Sequence, residues 1–340
     1  MARLVAGGDA GSPAGADGLP RVAVLFPGQG AQSVGMLGDW SDAGADGATI
    51  PPRAAGEVAR LFDRASDLLG YDLAAVCRTG PQATLDTTAV SQPAILVTSL
   101  ALLEVLRAKS SDGASPVDHA VVTAGLSLGE YTALVFAGAL DFDDAVRLVD
   151  VRGRAMQACA EARPGAMVAV LGLERDRVAE LCVAARQGDV LEVANVLCPG
   201  NVVASGSAAA CDRLREAATN AGAMKCVTLG VAGAFHTDLM RSAVAELTAA
   251  LARTPLRAPR IPVVSNVDAK PHSDPDDIRR LLARQVVGVV EWQASMEHLI
   301  APETDGGFGV QAMWEVGPGR VLRGLLKRIS RSLPCSGVVD

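Results

Sequence analysis

Along the chain, apolar runs of strand length alternate with longer stretches in which apolar residues recur every three or four positions. The first run, Val22-Ala23-Val24-Leu25-Phe26, leads into Pro27-Gly28-Gln29-Gly30. A second, Ala120-Val121-Val122-Thr123-Ala124, leads into Gly125-Leu126-Ser127-Leu128-Gly129-Glu130. Continuous apolar strands followed by glycine-rich turns and helices predict an α/β fold built on a parallel sheet. Helices are expected at 56–69, 93–108 and 142–158, the second opening at Gln92-Pro93 with the proline in its first turn.

Between 161 and 230 the rhythm changes. Strand Ala166–Leu171, helix Arg175–Ala185, strands Val190–Ala194 and Val202–Ser205, helix Ala208–Ala221 and strand Lys225–Leu229 follow one another. That order, βαββαβ, predicts a ferredoxin-like subdomain inserted into a discontinuous larger unit, 21–160 and 231–331. In the second half of that unit Gly233-Ala234-Phe235-His236-Thr237 opens a helix to Arg253. Strand Ile261–Ser265, helices 275–287 and 291–300, strand Ala312–Val316 and a basic helix Val321–Ser330 complete it. Residues 1–20, 41–55 and 332–340 lie outside the pattern and are expected to be a disordered lead, a surface insertion and a disordered tail.

Composition narrows the function. A chain of 340 residues can bury a large core, and with only 3% aromatics that core must be mostly Ala, Val and Leu. A net charge of −7 makes nucleic acid a poor partner. Seven scattered cysteines without a Cys-x-x-Cys pair predict free thiols in a reducing compartment and no metal site. The apolar runs read as too short and too interrupted to span a membrane, and residues 1–20 lack the apolar core of a secretory signal.

The chemistry centres on Gly125 to Glu130. Strand, then Gly-x-Ser-x-Gly, then helix is a nucleophile elbow, which presents Ser127 at a helix N-terminus. A serine nucleophile needs a base. The chain has four histidines. His119, His272 and His298 sit in surface loops or on an amphipathic helix, whereas His236 lies in a small-residue turn after a strand, where catalytic groups are carried. An oxyanion needs two N–H donors: the residue after the nucleophile, Leu128, and a second loop at the same sheet edge, for which Pro27-Gly28-Gln29-Gly30 fits. Arg152, on an apolar helical stretch before Gly153, could hold a carboxylate. No acid is evident between Ser127 and His236; a dyad oriented by a carbonyl oxygen would serve the same purpose. A thioesterase or esterase would share Ser127 and His236 but leave Arg152 without a role; a carrier-binding module without activity would form no acyl-enzyme.

Five motifs then occur in order: Phe26-Pro27-Gly28-Gln29-Gly30, Gly125-Leu126-Ser127-Leu128-Gly129-Glu130, Arg152-Gly153-Arg154-Ala155-Met156-Gln157, Gly233-Ala234-Phe235-His236 and Glu315-Val316-Gly317-Pro318-Gly319. The set resembles the malonyl-CoA:acyl-carrier-protein transacylases of type II fatty acid synthesis over residues 21 to 330. The resemblance implies an α/β-hydrolase-like core and a ping-pong malonyl transfer from malonyl-CoA to holo-acyl carrier protein. It implies no cofactor, no metal and no membrane, and a monomer. It makes Ser127 the nucleophile, His236 the base, Gln29 and Leu128 the oxyanion donors and Arg152 the malonyl-carboxylate partner. Gln285, in Ala283-Arg284-Gln285-Val286, becomes the residue whose main-chain carbonyl orients the histidine. A stand-alone polyketide-type acyltransferase is the alternative within the same chemistry. Leu126 and Asn201 stand where bacterial members often carry histidine and many members carry glutamine; both variants resemble the plant and algal plastid type. The compartment implied is plastid stroma or mitochondrial matrix in a eukaryote and cytoplasm in a bacterium. Phe235 is expected to narrow the pocket against an α-methyl group. Arg320, Arg323, Lys327 and Arg328 are expected to form a basic docking patch for the acidic carrier protein.

Overall fold

The computed structural model describes residues 19–36, 38, 50–110 and 115–338; the expected lead at 1–18 and most of the 41–55 insertion lie outside them. Strands β1 (Val22–Phe26) and β2 (Ala120–Gly125) pair in parallel, and Phe26 ends level with Gly125. The glycine-rich loop after β1 and the elbow after β2 therefore emerge side by side. A parallel pair needs a crossover. Here it is made by helices α1 (Pro52–Leu69), α2 (Leu73–Thr79), α3 (Gln82–Leu85) and α4 (Thr88–Lys109). α1 takes in residues expected to belong to the insertion, because Ala54 is the first of its buried row.

α4 starts at Thr88, so Pro93 lies inside the helix rather than in its first turn. Thr88 and Ser91 are weak helix formers and hid this start. Packing decides it, since all of Thr88 and Ser91 to Leu103 is buried. By length and composition α4 is apolar enough to cross a membrane, contrary to the expectation, yet 83% of its most apolar window is buried inside the protein. It is the central core helix, against which α1 and the next two helices, α5 (Gly129–Phe136) and α6 (Phe142–Ala162), pack.

A second sheet follows, from β3 (Gly165–Leu171), α7 (Arg175–Arg186), β4 (Leu191–Cys198), β5 (Asn201–Ser207), α8 (Ala208–Asn220) and β6 (Lys225–Thr228). Its strands are antiparallel in the order β4-β5-β3-β6, and α7 and α8 close one face over a separate apolar cluster that includes Val168, Val202, Leu181 and Leu214. The chain then returns through α9 (Arg241–Arg253), β7 (Val263–Val264), β8 (Pro271–His272), α10 (Pro275–Gln285), α11 (Trp292–Ile300), β9 (Ala312–Glu315) and α12 (Val321–Ile329).

With β10 (Cys335–Gly337) at one edge, the first sheet runs β10-β9-β1-β2-β7-β8, parallel except for β8. β10 lies in the segment expected to be a disordered tail. Cys-Ser-Gly carries no strand signature; the open edge of β9 supplies the pairing, with Cys335 opposite Met313. The period of two along β1 separates two cores. Val24 and Phe26 join the cluster under α1, α4 and α6, while Ala23 and Leu25 face Trp292, Met296, Leu322 and Leu326 of α11 and α12. The second sheet is tied to the segment between α10 and α11, where Val196 N–H donates to the Val290 carbonyl (3.0 Å) and Val290 N–H to the Ala194 carbonyl (2.8 Å). The carboxyl ends of β1 and β2 thus open toward the second sheet.

Candidate active site

The elbow is built by contact. A Cβ on Gly125 would lie 1.9 Å from the Gly129 carbonyl carbon, one on Gly129 would lie 2.1 Å from Phe26 O, and one on Gly28 would lie 2.3 Å from Leu126 O. The first two seat α5 directly on β1 and β2; the third presses the β1 loop onto the elbow. Ser127 itself is held at φ 50°, and His236 at φ 62°. Two non-glycine residues in the left-handed region at one site are strained positions that the surrounding fold maintains.

Ser127 Oγ is 2.9 Å from His236 Nε2, and His236 Nδ1 is 2.8 Å from the Gln285 main-chain oxygen. A carbonyl can only accept, so Nδ1 carries the hydrogen and Nε2 is left as the acceptor for the serine proton. Burial, and then the positive charge of Arg152, push His236 down to about 4, which keeps the imidazole neutral at physiological pH. The Gln29 and Leu128 backbone N–H groups make no hydrogen bond to another described residue. Both residues border the same cavity as Ser127.

Arg152 is 2% exposed. One of its terminal nitrogens donates to Gln92 Oε1 (2.8 Å); the other reaches Ser127 Oγ (3.1 Å) and Gln285 Oε1 (2.9 Å). The guanidinium stacks over Tyr131, 5.3 Å from the ring centroid, and its Nε has no partner. No carboxylate of the described residues forms an ion pair with it. Arg154, two residues on, is exposed and paired with Asp150 (2.8 Å), as a solvated helix face should be.

The other histidines fall as expected outside the site. His272 pairs with Asp268 (3.0 Å), His298 meets the edge of Phe308, and His119 is exposed at the end of a short helical turn.

Three residues that sequence reasoning passed over complete the site. Asn266 Oδ1 accepts the Ser127 N–H (2.5 Å) and its Nδ2 donates to the Gly125 carbonyl (2.7 Å), which clamps the elbow from the segment after β7. Gln92 fixes Arg152. Glu130, in the first turn of α5, is buried and accepts from Gln285 Nε2 (2.7 Å) and from Asn266 N–H (3.0 Å). The available signal was position: Ser265-Asn266 follows a strand at the same sheet edge, and Glu130 lies in the first turn of the helix that the elbow opens. A cavity of ≈ 320 Å³ opens over Ser127 and His236, walled by Met156, Met167, Leu197, Leu229, Phe235 and Val321 among others.

A family model described as the acyl transferase domain matches residues 24–312. The malonyl CoA-acyl carrier protein transacylase of Escherichia coli (strain K12) is 41% identical over 320 residues, covering 94% of this chain and 96% of that protein. The chain belongs to the malonyl-CoA:acyl-carrier-protein transacylase family. Among solved members, the enzyme from Xanthomonas oryzae pv. oryzae superposes with a TM-score of 0.84 at 38% identity, over 94% of this chain and 95% of that one. A malonyl-transacylase solved in complex with its type II PKS acyl-carrier protein superposes with a TM-score of 0.82 at 38% identity, over 94% and 96%. The family's mixed α/β architecture with a parallel sheet is thus the architecture of this chain.

Proposed function

We propose that this chain moves the malonyl group of malonyl-CoA onto the phosphopantetheine thiol of holo-acyl carrier protein, through a malonyl-serine at Ser127, and so supplies fatty acid synthesis. The observation that carries the reading is Arg152: a buried guanidinium in direct ion pair with no carboxylate of the described residues, 3.1 Å from the serine oxygen. A buried cation that no carboxylate touches directly is costly. The free carboxylate of a malonyl group on Ser127 is an anion of the right length to offset it, held bidentately.

The chemistry follows from the geometry. Ser127 Oγ attacks the thioester carbon as its proton passes to His236 Nε2. The Gln29 and Leu128 amides receive the oxyanion, and the Gln285 carbonyl stabilises the imidazolium through Nδ1–H. Collapse expels the CoA sulfur, which takes the proton from His236. The carrier thiol then gives its proton to His236 and attacks the malonyl-serine carbonyl; the acyl bond to Ser127 Oγ breaks, and Oγ takes the proton back from His236. The apolar walls of the cavity disfavour water as the competing acceptor. Incubation with malonyl-CoA followed by intact-mass measurement should show one malonyl adduct, discharged by holo-carrier protein faster than by water; an unmodified chain would sink the reading, and rapid hydrolysis would make it a thioesterase. A polyketide carrier as acceptor is the second reading, favoured by the similar transacylase solved with such a carrier.

The finer architecture belongs to the same reading. The strand order β4-β5-β3-β6 with two helices on one face supports a ferredoxin-like subdomain over 161–230. The elbow after β2 supports an α/β-hydrolase-like core over 21–160 and 231–331.

Two further expectations attach to the cavity. Phe235 is 5% exposed beside His236 and lines the wall. Phe235→Ser should raise methylmalonyl-CoA turnover about tenfold, the scale on which one methyl is discriminated by an apolar pocket; an unchanged rate would show that the wall lies elsewhere. α12 contributes Val321 and Leu325 to the same cavity; Arg320, Lys327 and Arg328 at its start and in its last turn are exposed, whereas Arg323 turns inward onto the buried Glu315 (3.4 Å). The docking surface for an acidic carrier is therefore Arg320, Lys327 and Arg328. Reversing Arg320 and Lys327 to glutamate should raise the KM for carrier protein about tenfold and leave malonyl loading from CoA unchanged. Equal KM values would remove the patch.

A further inference from the structure

We propose that Glu130 is a positioning residue for malonyl transfer: its carboxylate, acting through the Gln285 side chain, holds the serine elbow and the histidine-orienting carbonyl in one arrangement. The proposal rests on the transfer reading above. No acid of the described residues touches His236; the acid of this site stands at one remove.

The argument is one of donors and acceptors. The Gln285 amide nitrogen has two hydrogens. One goes to Glu130 Oε2 (2.7 Å) and one to the Ser127 main-chain oxygen (3.0 Å). Its oxygen is then turned to Arg152 (2.9 Å). A flipped amide would set that oxygen against a carboxylate and a carbonyl, and its NH₂ against a guanidinium. An ionised carboxylate can only accept, so Glu130 selects the productive orientation. The same glutamine carries the carbonyl that binds His236 Nδ1. Glu130 also takes the Asn266 N–H (3.0 Å), and Asn266 in turn holds the Ser127 and Gly125 backbone. One buried carboxylate thereby ties together the nucleophile, the base and the substrate-facing arginine.

Around Glu130, α6 presents Arg152, the end of α10 presents Gln285, the segment after β7 presents Ser265 and Asn266, and its own helix presents Tyr131. Burial, opposed by these hydrogen bonds and by Arg152, raises Glu130 to about 7. Below that value it becomes a hydroxyl that no longer demands the amide hydrogen. His236 sits far lower, so a loss of rate near neutrality belongs to Glu130.

The test measures kcat and KM for malonyl-CoA and carrier protein with the whole chain, from about pH 5.5 to 8.5. Wild type should lose rate as the pH falls through about 7. Glu130→Gln should lower kcat about tenfold with the malonyl-CoA KM within about threefold, and its profile should be flat. Glu130→Asp should recover part of the loss. Gln285→Met keeps the backbone carbonyl and should match Glu130→Gln, and the double variant should be no worse than either single one. If Glu130→Gln fails to fold by circular dichroism, Gln285→Met carries the same expectation. Full activity in Glu130→Gln, a flat wild-type profile, an acid limb surviving in Glu130→Gln, or additive singles each overturn the proposal. A wild-type chain that transfers no malonyl would instead remove the functional reading itself.

Discussion

Ser127→Ala is expected to accept no malonyl group from malonyl-CoA and to lower transfer to carrier protein by about 10⁵- to 10⁶-fold, the scale seen when a serine nucleophile is deleted. The expectation follows from the pair Ser127 Oγ and His236 Nε2 at 2.9 Å. Without the hydroxyl, the histidine has no proton to take and the two free amides have no adjacent reacting carbon to serve. His236→Ala should cost a similar factor, and the double variant little more than either one, because nucleophile and base act as one unit. Intact mass and steady-state transfer read both outcomes. A Ser127→Ala chain that still carries a malonyl adduct would place the nucleophile elsewhere.

Arg152→Ala should lower kcat/KM for malonyl-CoA by about 10²- to 10³-fold, in line with roughly 2–5 kcal/mol for one partner of a buried charge pair. Acetyl-CoA has no carboxylate, so its kcat/KM should change far less and the preference for malonyl should collapse. The contrast between the two substrates separates lost recognition from general damage. That separation matters, because Arg152 also contacts Ser127 Oγ and Gln285 Oε1, and its removal leaves a buried gap. Arg152→Lys is not a mild version of the test: a lysine cannot reach Gln92, Gln285 and a carboxylate in one plane. A variant that keeps its malonyl preference would end the specificity argument.

The chain alone determines the elements that periodicity encodes. Val22–Phe26 and the strand ahead of Ser127 read as buried parallel strands, and α6, α7, α8 and α12 carry their amphipathic rows openly. The glycines at 28, 125 and 129 are legible for the same reason: close approach of two backbones leaves no other residue, and the Cβ clashes bear that out. Ser127, His236, Arg152 and the Gln285 carbonyl could be named because each sits in a short motif at the end of a strand or on a packed helix, and the structure brings these four together. What failed was local signal without local cause. The start of α4 at Thr88 is decided by burial, not propensity, and β10 exists only because β9 offers an unpaired edge. The same holds for the polar network. Glu130, Asn266 and Gln92 come from α5, the segment after β7, and α4, separated by up to 174 positions in the chain between Gln92 and Asn266 (266 less 92). A carboxylate, an amide and another amide have no pattern of their own along the sequence. Only the closing of the sheet sets their donors opposite their acceptors, and in a buried site that matching is what each polar group requires.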